Sequence, residues 1–382
     1  CFTSMPQMVF AEEFTSEAPE ETEPEETGET PEVFTDENPA TTDDTIGGAS
    51  TFSSEEIPEF DDEEGNVSAA TDGGSTAGTS PIDINNYNNS VYTISTSGSY
   101  RFTGTGTETS NRIVIDNVTS GEVKIYLNNV NINTGDGPAL QITPTVTAQV
   151  CIYLEGQNIL KTTLYSSAAL QKDNNSGLTI TSTNTVTGSL AAQASYGAGI
   201  GSGHHMGGAS ASISGNIVSN ITISNCSVTT SSTKGAGIGS GMFSVGGGAS
   251  ISGNIVSNIT ISGGSVKATK IDCTPKDSKN NDVYLCEISN AASSEITIDA
   301  VKRNGPYNHS SIDPSDTTLY AWLTGTDHVV TVGNDSRKYS FDSANYSFTR
   351  SKVAPTASQF TFTPPSNLTY DGQQKSVTVR PK

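Results

Sequence analysis

The stretch ASISGNIVSNITIS at Ala211–Ser224 recurs letter for letter at Ala249–Ser262, 38 residues further on. GAGIGSG at Gly197–Gly203 recurs at Gly235–Gly241 with the same offset. A repeat this close means one supersecondary unit laid on a copy of itself. Replacing identity by residue type extends it toward the N-terminus. VKIYL at Val123–Leu127 is followed 27 residues later by VCIYL at Val150–Leu154, and LTI begins 28 residues after that, at Leu178. ITI then recurs at Ile221, Ile259 and Ile296. A second ladder runs Leu140, Leu170, Ile200, Ile238, each member preceded by small residues. The basic period is 28–30 residues. The later units carry roughly eight more, in His204–Ala211 and Met242–Ala249, and such insertions map to loops on one face of a solenoid.

Within the unit, apolar and polar residues alternate with period two, as at Ile221, Thr222, Ile223 and Ser224. That is strand periodicity, rich in β-branched residues and punctuated by Asn, Gly and Ser. No sustained helical stripe occurs in the repeats. Three short strands in about 28 residues make one turn of a right-handed parallel β-helix, whereas a propeller blade needs about 40–45 residues and four strands. The chain is therefore expected to be all-β, with the helix over 81–300. Ile125, Ile152, Ile180, Ile223, Ile261 and Ile298 are expected to form one inward column, because a slip of one residue would turn each apolar set outward.

Charge divides the chain. Residues 1–72 hold 22 of the 41 acidic residues and no Lys or Arg, leaving 19 acidic against 19 basic in the remainder. The segment 12–80 is expected to be a disordered acidic linker, since it cannot bury enough apolar surface to offset its ordering entropy. Nucleic acid is excluded as a partner by the lack of a basic patch. CFTSMPQMVFAEE reads as the remnant of a secretory signal over 1–11, cut after Ala11, in a chain that is a piece of a longer precursor; a lipidated Cys1 is the rival reading. Nothing else is apolar enough to insert in a membrane. Cys273 and Cys286 flank a Lys/Asn/Asp-rich loop and either bridge its base or remain thiols. His204-His205 is the one metal-like pair, without an acidic neighbour in the chain, so no metal site is assigned. After residue 300, LYAWL, HVVTV and KYSF read as short strands of a small antiparallel cap over 301–353, and 354–382 as the truncated opening of another β domain.

The outward positions carry the functional question. One row holds Thr179, Thr222, Thr260 and Thr297; the other holds Tyr126, Tyr153, Thr181, Ser224, Ser262 and Asp299. This face is expected to be hydroxyl-rich and nearly uncharged, without paired acids, Arg or a Ser-His arrangement. Pectinase-type catalysis needs carboxylates clustered on one outer face, for calcium or as the acid/base pair flanking the scissile bond, or an Arg base, so binding fits better than an enzyme. Tyr126 and Tyr153 stand one coil apart, about 4.8 Å, and are expected to form an aromatic platform for a sugar ring. Asn128 and Glu155 lie on the same face to accept hydroxyl protons. The alternatives are rings that only stack on each other, or a face of the opposite phase. Tyr196, His205 and Phe243, at and beside the insertions, are the next candidates.

VKIYLNNVNINTGDGPALQI, VCIYLEGQNIL, AALQK, LTITST and GAGIGSG give the stretch from about Tyr92 to Ser262 a resemblance to the bacterial carbohydrate-binding β-helix family related to clostridial pectin-binding surface proteins. The tail, FTFTPPSNLTYDGQQKSVTV, resembles the start of the YDG/MBG-type Ig-like repeats of Gram-positive surface proteins. The resemblance implies a monomeric, secreted or surface-displayed adhesin that binds a polysaccharide without cleaving it. It also allows calcium, although no calcium-ligand motif matches residue by residue and no other cofactor is expected. A ligand-free stalk and a pectinase-type lyase or hydrolase are the alternative functions.

Overall fold

The structure is a computed structural model. It describes residues 80–183, 188–207, 212–214, 218–245, 250–252, 256–291, 295–303, 315–352, 360–366 and part of 369–381. The leader and nearly all of the acidic linker lie outside the described residues. Among the described residues every regular element is a strand, and no helix is long and apolar enough to cross a membrane.

Three parallel sheets of seven, six and five strands form the body. Each complete turn gives one strand to each. Glu122–Asn128 enters the seven-stranded sheet, Asn131–Thr134 the five-stranded sheet and Leu140–Ile142 the six-stranded sheet. Gln149–Glu155, Gln157–Thr162 and Leu170–Lys172 repeat the circuit one coil higher. This is the parallel β-helix expected from the repeat. At four described corners between the first two strands of a turn, the backbone passes through the left-handed region. Asn129, Gly156, Asn225 and Gly263 stand there with φ of 54°, 63°, 50° and 76°. Only Gly and, less readily, Asn adopt that region at low cost. Asn129 adds a hydrogen bond, its Oδ1 accepting from the Gln157 amide at 3.1 Å.

The inward residues align coil on coil. Ile125, Ile152, Ile180, Ile223 and Ile261 are register partners in turn, each at most 1% exposed. Tyr100 extends the column below Ile125. The second ladder, Leu140, Leu170, Ile200 and Ile238, is likewise continuous, with Ile113 beneath it and a bridge to Ile271 above. In GAGIGSG the glycines answer a close approach. Gly201 and Gly239 pair at φ of 138° and 137°, and a Cβ on Gly201 would run into the Gly239 carbonyl.

Within the expected insertions, His205–Gly207 pairs in parallel with Phe243–Val245, and just after them Ser212–Ser214 pairs with Ser250–Ser252. These short strands continue the stacking outside the main circuit.

Ile298 does not join the column. Ile296–Ile298 pairs antiparallel with Val301–Arg303 and with His328–Val332, which places Thr297 and Asp299 off the coil face as well. Antiparallel pairing already begins at Val283–Ile288, which joins Leu319–Thr324. Alternation marks a half-buried strand in either kind of sheet, so ITI alone could not select its partner. These strands enclose a second core around Ile288, Ile296, Ile298, Leu319, Val330 and Tyr339. They also close the end of the coil: the Tyr320 amide donates to Ser265 Oγ, and the indole of Trp322 donates to the Val266 carbonyl, both at 2.9 Å. Cys273 and Cys286 are free thiols. Cys286 is fully buried in the second core while Cys273 packs against the first, so no bridge joins the base of their loop. Phe360–Thr363 and Thr378–Pro381 pair antiparallel beyond the module.

Candidate functional site: the outer face of the seven-stranded sheet

Strand register builds this face row by row. Arg101, Tyr126, Tyr153, Thr181, Ser224 and Ser262 form one row along the coil axis. Ser99, Lys124, Cys151, Thr179, Thr222 and Thr260 form the next, and Thr103, Asn128 and Glu155 a third. All four sequence candidates, Tyr126, Tyr153, Asn128 and Glu155, are therefore brought together on one exterior surface, and the in/out phase is the expected one. The hydroxyl rows over Thr179, Thr222 and Thr260 are also in place.

The expectation of an almost uncharged face fails at its lower end. Arg101 stands in the tyrosine row, and its Nη1 lies 3.1 Å from Glu155 Oε1. Lys124 and Glu122 form a second pair at 3.4 Å. The strand Gly98–Thr103 reads GSYRFT and shares no letters in register with VKIYLN, which hid Arg101 from the repeat. The usable signal was the pattern of two buried aromatics, Tyr100 and Phe102, around one exposed position.

Tyr126 and Tyr153 stack face to face, with centroids 4.8 Å apart and planes 14° from parallel. The guanidinium of Arg101 lies over Tyr126, 4.2 Å from its centroid. Arg101 and Tyr153 thus both pack on the ring of Tyr126. Burial, followed by repulsion from neighbouring acidic groups, pushes the Tyr153 hydroxyl up to about 12, so it stays a neutral donor. Asn128 Oδ1 accepts from the Asn129 amide group at 3.0 Å. Cys151, one row over, is held as a thiol: burial first, then the Glu122 carboxylate that accepts its hydrogen at 3.1 Å, raises it to about 11.

A second aromatic group lies where the five-stranded sheet turns into the six-stranded one. Tyr165, 44% exposed, packs on Tyr196 at 3.8 Å and edge-on to His204 at 4.7 Å. His205 and Phe243 are register partners and stack at 4.9 Å. The three reserve candidates thus fall into two separate ring contacts, one built on each kind of turn.

A family model described as carbohydrate-binding domain-containing protein matches residues 88–220. No curated protein matches the chain, and no solved structure matches it. The matched stretch runs from below the strand Val91–Ile94 into Val218–Ser224 and contains the whole Arg101–Tyr126–Tyr153–Glu155 group. This likeness supports carbohydrate binding and a glycan partner.

Proposed function

We propose that the chain is a non-catalytic glycan-binding protein that takes a polysaccharide along the outer face of the seven-stranded sheet. The observation that carries this reading is the coincidence of the carbohydrate-binding family match at 88–220 with the tyrosine stack and its Arg101–Glu155 bridge. A polymer lying along the coil axis meets the same kinds of group at each coil, about 4.8 Å apart. Tyr126 and Tyr153 offer aromatic rings and phenolic hydroxyls, Asn128 and Glu155 offer acceptors, and the Thr179, Thr222 and Thr260 row offers hydroxyls.

What supports binding over hydrolysis is the state of the acids. Glycoside hydrolysis needs two carboxyl groups flanking the bond, one of them a proton donor. Here Glu155 and Glu122 are each paired to a cation. The reading needs no cofactor. The site of action is the cell surface or the medium, where the protein serves as an adhesin. The test is a glycan array with the full chain, followed by assays for reducing ends and unsaturated products. Binding without product, lost in the Tyr126→Ala/Tyr153→Ala variant with the β-helix still folded, is the expected result. Products would make it an enzyme. Unchanged binding in the variant would move the site away from this face.

A further inference from the structure

The last coil and the antiparallel module enclose a cleft of about 720 Å³. Its lining combines Trp322, Tyr284, Tyr346 and Leu285 with Asp272 and Asp282. None of these residues lies in the stretch matched by the family model, which ends at residue 220. The volume falls within the roughly 300–1,000 Å³ of small-ligand sites, and the lining is polar and apolar in about equal measure.

The aromatic rings are presented in a way the tyrosine stack is not. Tyr346 is 64% exposed and leans on Tyr284 through one face, with centroids 5.5 Å apart. Tyr284 is backed in turn by Phe341 at 4.7 Å. The other face of Tyr346 is left without a ring partner among the described residues. The indole of Trp322 is fixed by its bond to the Val266 carbonyl, so its orientation in the wall is set before any ligand arrives. Such an arrangement costs little ordering on binding.

Charge decides the class of ligand. Asp272 accepts from the Ser240 amide and hydroxyl at 2.8 and 2.6 Å, and lies 2.6 Å from Lys270 Nζ. Asp282 lies 2.6 Å from Lys276 Nζ. Each carboxylate thus has its own cation, and the cleft carries no excess charge to select an ion. Aromatic faces beside neutralised polar groups match a molecule with apolar ring faces and a rim of hydroxyls. We infer that this cleft binds a neutral saccharide, as a second site separate from the seven-stranded face. The inference rests on the glycan reading above for its ligand class, and on the Trp322–Tyr346 geometry for its place.

Trp322 is the single tryptophan of the chain, so tryptophan emission reports on this cleft alone. The experiment titrates the full chain with cellohexaose, xylohexaose, mannohexaose and chitohexaose, with hexagalacturonate as the anionic contrast. Emission, acrylamide quenching and calorimetric heat are followed together. At least one neutral hexasaccharide should shift the emission and shield Trp322 from acrylamide. Tyr346→Ala, an exposed position whose truncation leaves the fold intact by circular dichroism, should weaken that response by about tenfold or more. Tyr126→Ala/Tyr153→Ala should leave it unchanged. Heat of binding with silent emission and no effect of Tyr346→Ala overturns the cleft and leaves the sheet-face reading standing. A response to hexagalacturonate alone overturns the neutral ligand. No heat and no emission change with any of the five overturns both.

Discussion

Lys172 donates its ammonium to the backbone carbonyl of Ser219 at 2.7 Å, across 47 residues of chain, and to that of Asn174 at 2.8 Å. It is fully buried, because the in-out-in alternation of Leu170–Lys172 aims it inward, beside Ile142. Burial holds its pKa down at about 8, against an ordinary value of 10.5. Between those values the unfolded chain carries the proton and the folded chain has lost it. Stability therefore rises with pH across that window and is lowest, by roughly 3 kcal/mol, once both states are protonated below pH 8. Denaturant midpoints measured from pH 7.5 to 10 in the wild type and in Lys172→Met should differ in slope, with the rise missing from the variant. Equal slopes would mean the ammonium titrates as if solvated.

The inward column predicts its own energetics. Ile152→Ala removes a side chain held between Ile125 and Ile180 and is expected to cost about 2–5 kcal/mol. Thr222→Ala, one sheet surface away on the outside, is expected to stay within about 0.5 kcal/mol. Chemical denaturation of the two variants checks the contrast. Comparable losses would place the strand phase in error.

Gly201→Ala should be severely destabilising. The position needs φ of 138°, and the added methyl meets the Gly239 carbonyl, so the cost exceeds the ~1 kcal/mol of an ordinary glycine effect. Gly135→Ala, where the nearest atom is Thr163 Oγ1 at an unstrained 3.5 Å, is the matched control and should be nearly neutral. Thermal melts of both would show whether the close approach limits the fold.

The thiols give a chemical readout. Burial raises Cys226 and Cys286 to about 12 each, so neither forms much thiolate at pH 8. Cys273 is partly exposed beside the cleft and should be alkylated by iodoacetamide before them. Site-resolved mass spectrometry on the native chain measures the order. Dithiothreitol should leave the melting temperature of the 80–352 region unchanged, and a drop would reveal a bridge.

Coil-to-coil equivalence is written directly in the sequence, because stacked residues must satisfy the same inward space. Val123, Val150, Leu178, Ile221 and Ile259 could be aligned by eye and are register partners. Arg101 could not, since Tyr100 and Phe102 fill the same space with aromatic rings and break the aliphatic pattern. Ile298 was misplaced for the opposite reason: its local pattern is right and its partners are elsewhere. The stacking of Tyr126 on Tyr153 was legible in spacing, but not the guanidinium that packs on Tyr126. The cleft is assembled from Ile271 to Tyr346, segments with no repeat between them, so no periodicity announces it.

The bonds from Tyr320 and Trp322 to Ser265 and Val266 also bear on how the coil ends. A stack of parallel strands has no intrinsic last member, since each coil offers the next copy the same row of amides and carbonyls. A chain relieved of the module would present the strand Ser265–Ala268 as a growing end, able to recruit the lower coil of another copy and propagate into a filament. The module that forms one wall of the cleft thus also covers part of that end.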